Sequence, residues 1–179
     1  MASIYVCLIL LKTPICSFDA RTGILCPKCD TKLRSGQLTD TDVEVSIKLT
    51  KVGEKNPEIS KLNLVKAEQV DQDYLLTLEP GSLAPLRRDP AFQKTLQTIL
   101  GGKVWLTEAD TTDRKVLEDL FFPVRISNIN TAWLPDGSKL TKVVIPGRKT
   151  ERFPHDTTMI GKILQESRGI DLMVEFERT

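Results

Sequence analysis

Three of the chain's four cysteines fall in one short stretch, ICSFDARTGILCPKC, residues 15–29. Cys26 and Cys29 form a C-x-x-C with proline inside it. Such a knuckle grips a metal ion because its two thiolates reach one edge of a tetrahedron while neighbouring groups offset their charge. Cys16 adds a third thiol, across the turn-like string DARTG. A closed structural site needs four ligands. Cys7 is the fourth residue of the same type, so the expected set is Cys7, Cys16, Cys26 and Cys29 around a structural zinc ion. His155, Asp19 and Asp30 remain open as alternatives for the fourth place. Metal is expected in preference to a disulfide, because the chain reads as a protein of a reducing compartment. A thioredoxin-like role is not expected, since the C-x-x-C does not join a strand to the long helix of a βαβ unit.

Little else in the chain has the pattern of catalysis. With one histidine in the chain, a Ser-His-Asp or Cys-His system would have to use His155, and none is expected. GKVWL and GKILQ lack the upstream glycines of a P-loop. No enzyme is expected. The balance of 25 Lys and Arg against 24 Asp and Glu gives a net charge of +1, so the chain as a whole is not a polyelectrolyte. Its charge is nonetheless uneven. Lys139, Lys142, Arg148, Lys149 and Arg152 oppose Glu151 alone in residues 139–152, and Arg87 and Arg88 stand together. Local clusters of this kind suit a phosphate backbone. The longest apolar run, IYVCLILL (4–11), falls far short of the roughly 20 residues of a membrane helix. It also lacks the basic flank of a signal peptide. It reads as a buried strand or an N-terminal extension of a soluble, cytoplasmic protein with no membrane partner.

The elements that must carry these residues follow from periodicity and punctuation. ICSF and ILC, joined by DARTG, read as a hairpin ending at the cysteines. In LTDTDVEVSIKLTKVGEK, Val43, Val45, Ile47 and Leu49 alternate as in a strand. Thr41 and Glu44 have the spacing of a capping box, however, and Val45, Leu49 and Val52 share a helical face; helix is the preferred reading. NLVKAEQV and DYLLTLEP are strands. PAFQKTLQTILGG is a helix with Asp89 as N-cap, Pro90 at its first position and Gly101 at its end. KVWLTE is a strand. TTDRKVLEDLFFP is a helix stopped by Pro123. VRISNINTAWL and KLTKVVI are strands joined by PDGS. A last helix runs from Asp156 to Arg168, and IDLMVEFE is the last strand. Trp105 and Trp133 fall in strands, as core or sheet-surface residues.

The order helix, strand, strand, loop, helix, strand thus occurs twice. The expected fold class is α+β, with residues 1–38 an N-terminal strand and zinc-knuckle hairpin, 39–109 a first unit and 110–179 a second. This order resembles the type II KH domain, an RNA-binding module. Two in succession resemble the transcription elongation and termination factor NusA. LEDLFFPVRISNINTAWLPDGSKLTKVVIP is similar to the opening of that family's second KH unit, and LTLEPGSLAPLRRDPAFQKTLQTILGGKVWLTE to the second half of its first. The cysteine segment is similar to the one that precedes KH units in archaeal relatives. The resemblance spans about residues 40–177. It implies RNA as ligand, either nascent transcript or rRNA, with RNA polymerase or the ribosome as the machine joined. One departure bears on mechanism. A KH unit holds nucleotides against a G-x-x-G loop, and the matching slots here are Arg87-Arg88-Asp89-Pro90 and Phe153-Pro154-His155-Asp156. Neither contains a glycine, which argues against the usual clamp. Arg87 and Arg88 would meet phosphates as charges. A ribosomal or ribosome-associated role, with the units docked on folded rRNA and neighbouring proteins, is the alternative.

Overall fold

The computed structural model describes residues 11–87, 89–147 and 156–177. The chain divides into two compact units, Met1–Ala109 and Asp110–Thr179. Among the described residues the fold is α+β, with helices and two separate three-stranded sheets. No described helix is long and apolar enough to cross a membrane.

The first unit opens with two short helices, α1 (Ser17–Thr22) and α2 (Pro27–Arg34). The expected hairpin is therefore not formed. DARTG is instead the last turn of α1, closed by Gly23 at φ 75° with its N–H donated to the Asp19 carbonyl. A left-handed glycine closes a helix as readily as it makes a hairpin turn. Pro27 then takes the first position of α2, where its missing N–H has no partner to lose.

α3 (Asp40–Gly53) resolves the ambiguous stretch as helix. Its capping box lies two residues upstream of the expected one: the Thr39 hydroxyl accepts from the Asp42 N–H, and Asp42 accepts from the Thr39 N–H. Val45 and Leu49 face the core on one side of α3. Val43 and Ile47 support α1 and α2 on another. A one-turn helix, α4 (Pro57–Ser60), leads to β1 (Leu64–Val70) and β2 (Asp73–Leu78), which pair antiparallel. After α5 (Leu83–Leu86) and α6 (Pro90–Leu100), β3 (Val104–Glu108) returns parallel to β2. Asp89 and Gly101 cap α6 as its sequence indicates. Gly102, the second of the pair, is obligatory for a different reason: a Cβ there would stand 2.0 Å from the Gln72 carbonyl oxygen. Tyr74, Leu76 and Leu78 alternate along β2 and, with Val104 and Leu106, meet Phe92, Leu96 and Leu100 of α6 in one core. Glu108, at the end of β3, accepts the N–H groups of Gly81 and Leu83 at 3.0 Å each and so fixes the start of α5, whose Ser82 makes no side-chain cap.

The second unit repeats the scheme. α7 (Asp113–Phe121) precedes β4 (Asn128–Trp133) and β5 (Lys139–Ile145), an antiparallel pair. α8 (Thr157–Arg168) precedes β6 (Asp171–Phe176), which lies parallel to β5. Thr141, Val143 and Ile145 alternate as buried positions of β5, and Ile160, Ile163 and Leu164 are buried on α8. Asp113, in the first turn of α7, binds Lys139 at 2.7 Å and Arg168 at 3.1 Å, joining the start of α7 to β5 and the end of α8. The Lys139 ammonium, with Arg168 assisting, lowers the Asp113 carboxyl below its ordinary value of 3.8. A depressed folded pKa adds stability above the unfolded value and loses it as pH falls through the folded one. The thermal stability of wild type should therefore drop more steeply below about pH 4 than that of Asp113→Asn. The difference should stay under about 1 kcal/mol, since the group is partly open to solvent. Parallel acid limbs for the two proteins would refute the assignment.

Candidate metal centre

Cys16 and Cys26 are the N-cap residues of α1 and α2, both in extended conformation and neither making a side-chain cap. Their sulfurs are thus not engaged with their own helices and lie 3.9 Å from each other. Three residues on, in the first turn of each helix, stand Asp19 and Cys29. The two helices therefore present the same pattern, C-S-F-D and C-P-K-C, with a ligand at the cap and another at the third helical position. One ligand atom from each of Cys16, Asp19, Cys26 and Cys29 lies within 4.8 Å of all the others. All three thiols are free of disulfide. The group grades from an exposed Cys16 to a buried Cys29 and Asp19.

Asp19 is fully buried, at 0% exposure. One oxygen, Oδ2, accepts the Cys26 N–H at 3.0 Å. The other, Oδ1, is buried without a hydrogen-bond partner. Burial raises the carboxyl pKa. The Cys26 amide and the thiols of Cys29, Cys16 and Cys26 outweigh it and hold the group at about 2. Burial, with the Asp19 carboxylate beside it, pushes the Cys29 thiol up to about 12. An anion and three thiols drawn this close form a site in want of a cation, consistent with metal binding.

Of the other candidates for the fourth ligand, one is described. Asp30 is turned to Arg34, at 2.8 Å along α2. Cys7 and His155 lie outside the described residues. The repeated spacing, C-x-x-D beside C-x-x-C, is the signal in the sequence that singles out Asp19, whereas matching by residue type points to Cys7.

The expected RNA-contacting residues do not gather at this centre. Arg87 follows α5, immediately before the turn into α6. Lys139 is held by Asp113, and Lys142 pairs with Glu175 at 2.8 Å. Arg88, Arg148, Lys149 and Arg152 lie outside the described residues. Trp105 is buried, with its indole N–H donated to Asp73 at 3.0 Å and the Lys103 ammonium over its ring. Trp133, at the end of β4, is 73% exposed, so the two tryptophans have different fates.

A solved structure shares a similar fold. The crystal structure of APE1850 is similar to this chain with a TM-score of 0.51 and 14% sequence identity, over 75% of this chain and 95% of that one. At that identity the likeness is one of fold. No family model matches the chain, and no curated protein matches its sequence.

Proposed function

We propose that this chain is a non-enzymatic, NusA-like RNA-binding protein of two type II KH units, with a structural zinc ion in its N-terminal segment. The observation that carries the RNA reading is the repeated topology. Each unit sets a helix before an antiparallel strand pair, then a helix before a third strand parallel to the second. That is the order of the RNA-binding module the sequence resembles. The zinc reading is supported by the sulfurs: two thiolates at 2.3 Å from a tetrahedral zinc stand about 3.8 Å apart, against the 3.9 Å between Cys16 and Cys26.

The mode of RNA contact differs from a glycine-loop clamp. In the first unit the turn between α5 and α6 ends at Asp89, whose carboxylate accepts the Ala91 N–H at 2.9 Å and takes the helix terminus. A second anion at that terminus meets repulsion rather than a free amide cradle. Contact would run through cationic side chains to phosphates, with Arg87, Arg88, Lys139, Lys142, Arg148, Lys149 and Arg152 as the contributors. Affinity should then fall with salt. Replacing Arg148, Lys149 and Arg152 together by alanine should reduce the slope of log affinity against log salt by about 2 for single-stranded RNA. Fluorescence anisotropy over a salt series reads this directly, and affinity that is absent or indifferent to salt on both single-stranded and folded RNA would defeat the proposal.

The same Asp89 favours a second reading, in which the units dock on folded rRNA and protein within the ribosome. Retention in ribosomal fractions through moderate salt would select it. Recovery with RNA polymerase or nascent transcripts would select the first.

A further inference from the structure

We infer that Asp19 is the fourth metal ligand, through Oδ1, and that the site is a three-thiolate, one-carboxylate centre complete without Cys7 or His155. The inference rests on the proposed metal binding and goes beyond it by naming the donor set. Two independent observations carry it. A ligand atom of Asp19 is mutually within 4.8 Å of those of Cys16, Cys26 and Cys29. Its Oδ1 is also buried without a hydrogen-bond partner, on a residue that is 0% exposed. A buried carboxylate oxygen left unpaired is costly unless a cation or donor reaches it. Here a single ion placed among the sulfurs supplies that partner. The second oxygen is meanwhile held by the Cys26 amide at 3.0 Å, which fixes the carboxylate's orientation as an outer-shell contact does for a metal ligand. Asp19 and Cys29 hold equivalent places, the third residue of a helix capped by cysteine, so the chain contributes two like pairs of donors from two helix starts.

Cobalt(II) reports the donor set in the full-length protein, because charge transfer from thiolate scales with the number of thiolates and the visible bands report tetrahedral geometry. Wild type should bind one equivalent with a three-thiolate spectrum. Cys7→Ser and His155→Ala should leave the spectrum and the zinc affinity unchanged. Asp19→Ala should weaken zinc binding at least about tenfold. Asp19→Cys should retain one equivalent and raise the charge-transfer absorbance by about one third, as expected for four thiolates in place of three. Because Asp19→Cys restores a ligand, it decides the matter even where Asp19→Ala fails to fold. Loss of metal in Cys7→Ser or His155→Ala, full affinity in Asp19→Ala, or an unchanged spectrum in Asp19→Cys would overturn the assignment while leaving metal binding intact. Absence of stoichiometric zinc or cobalt in wild type would instead bring down the metal reading itself.

Discussion

Stripping the metal with a strong chelator should remove hydrogen-exchange protection from residues 15–38 while leaving the amides of β5 protected. Among the described residues the segment has little else to hold it. Its buried apolar residues are Ile15, Ala20, Cys29 and Leu38, two of them small, with Leu25, Leu33, Val43 and Ile47 partly buried around them. α1 has 6 residues and α2 has 8, both below the roughly 12–15 at which an isolated helix becomes even marginal in water. The ion pair from Arg21 to Glu54 is long, at 3.8 Å, and exposed at both ends, so it contributes little. Without metal a buried carboxylate faces three thiols, and burial, with Asp19 beside it, pushes the Cys29 thiol up. Metal binding displaces thiol protons and gives the carboxylate its counter-charge. On the proposed zinc reading, the binding free energy, on the order of 10 kcal/mol for structural zinc near neutrality, would become folding free energy of the segment. Cys29→Ser should mimic chelation, with zinc content falling from one equivalent to near none. Exchange mass spectrometry read beside metal analysis checks both. Intact protection after complete metal removal would show that the small apolar cluster suffices alone.

How much of this was legible in the sequence depends on whether one local signal had one meaning. Asp89, Pro90 and Gly101 delimit α6 because a proline at the first position and a glycine past the end have few other uses there. The repeated order of helices and strands was legible for the same reason, each element being bracketed by turn residues. DARTG was not, because a glycine in left-handed conformation ends a helix or turns a hairpin equally well, and only the packing of Ala20 and Ile15 under α3 decides. Thr41 and Glu44 have the spacing of a capping box, yet Thr39 and Asp42 form it. Both pairs satisfy the local spacing, and what separates them is a partner far along the chain. For the fourth ligand, residue type points to Cys7 and the repeated spacing to Asp19, and Cys7 lies outside the described residues. The two tryptophans look alike in sequence, each in a strand. What buries Trp105 and leaves Trp133 open is the neighbourhood each strand acquires in three dimensions.

That distant partner of the capping box carries the second large effect: Asp42→Ala should destabilise the first unit by about 3 kcal/mol, well beyond the loss of a helix cap. Asp42 is 2% exposed. Its Oδ2 accepts from both the N–H and the hydroxyl of Thr39 at 2.9 Å, closing the cap of α3. Its Oδ1 accepts the Ala67 N–H at 2.6 Å. Ala67 belongs to β1, an edge strand whose register shifts between Leu64 and Lys66. Among the described residues no strand lies on its side of the ladder away from β2, and Ala67 is 0% exposed. The carboxylate is therefore what satisfies a buried edge N–H, and removing it leaves that donor orphaned at a cost of about 1–3 kcal/mol in addition to the cap. Thr39→Ala is the control, since it removes the hydroxyl of the cap and leaves the Ala67 bond; it should cost about 1 kcal/mol. Urea unfolding of the two variants distinguishes the terms, and equal losses would mean that the link from α3 to β1 contributes nothing beyond capping. The consequence reaches the metal centre as well. α3 sends Val45 and Leu49 into the main core, and Val43 and Ile47 under the cysteine segment. A helix start loosened at Asp42 frees the platform on which α1 and α2 rest. Asp42→Ala should accordingly weaken zinc retention under chelator competition, while Thr39→Ala weakens it less.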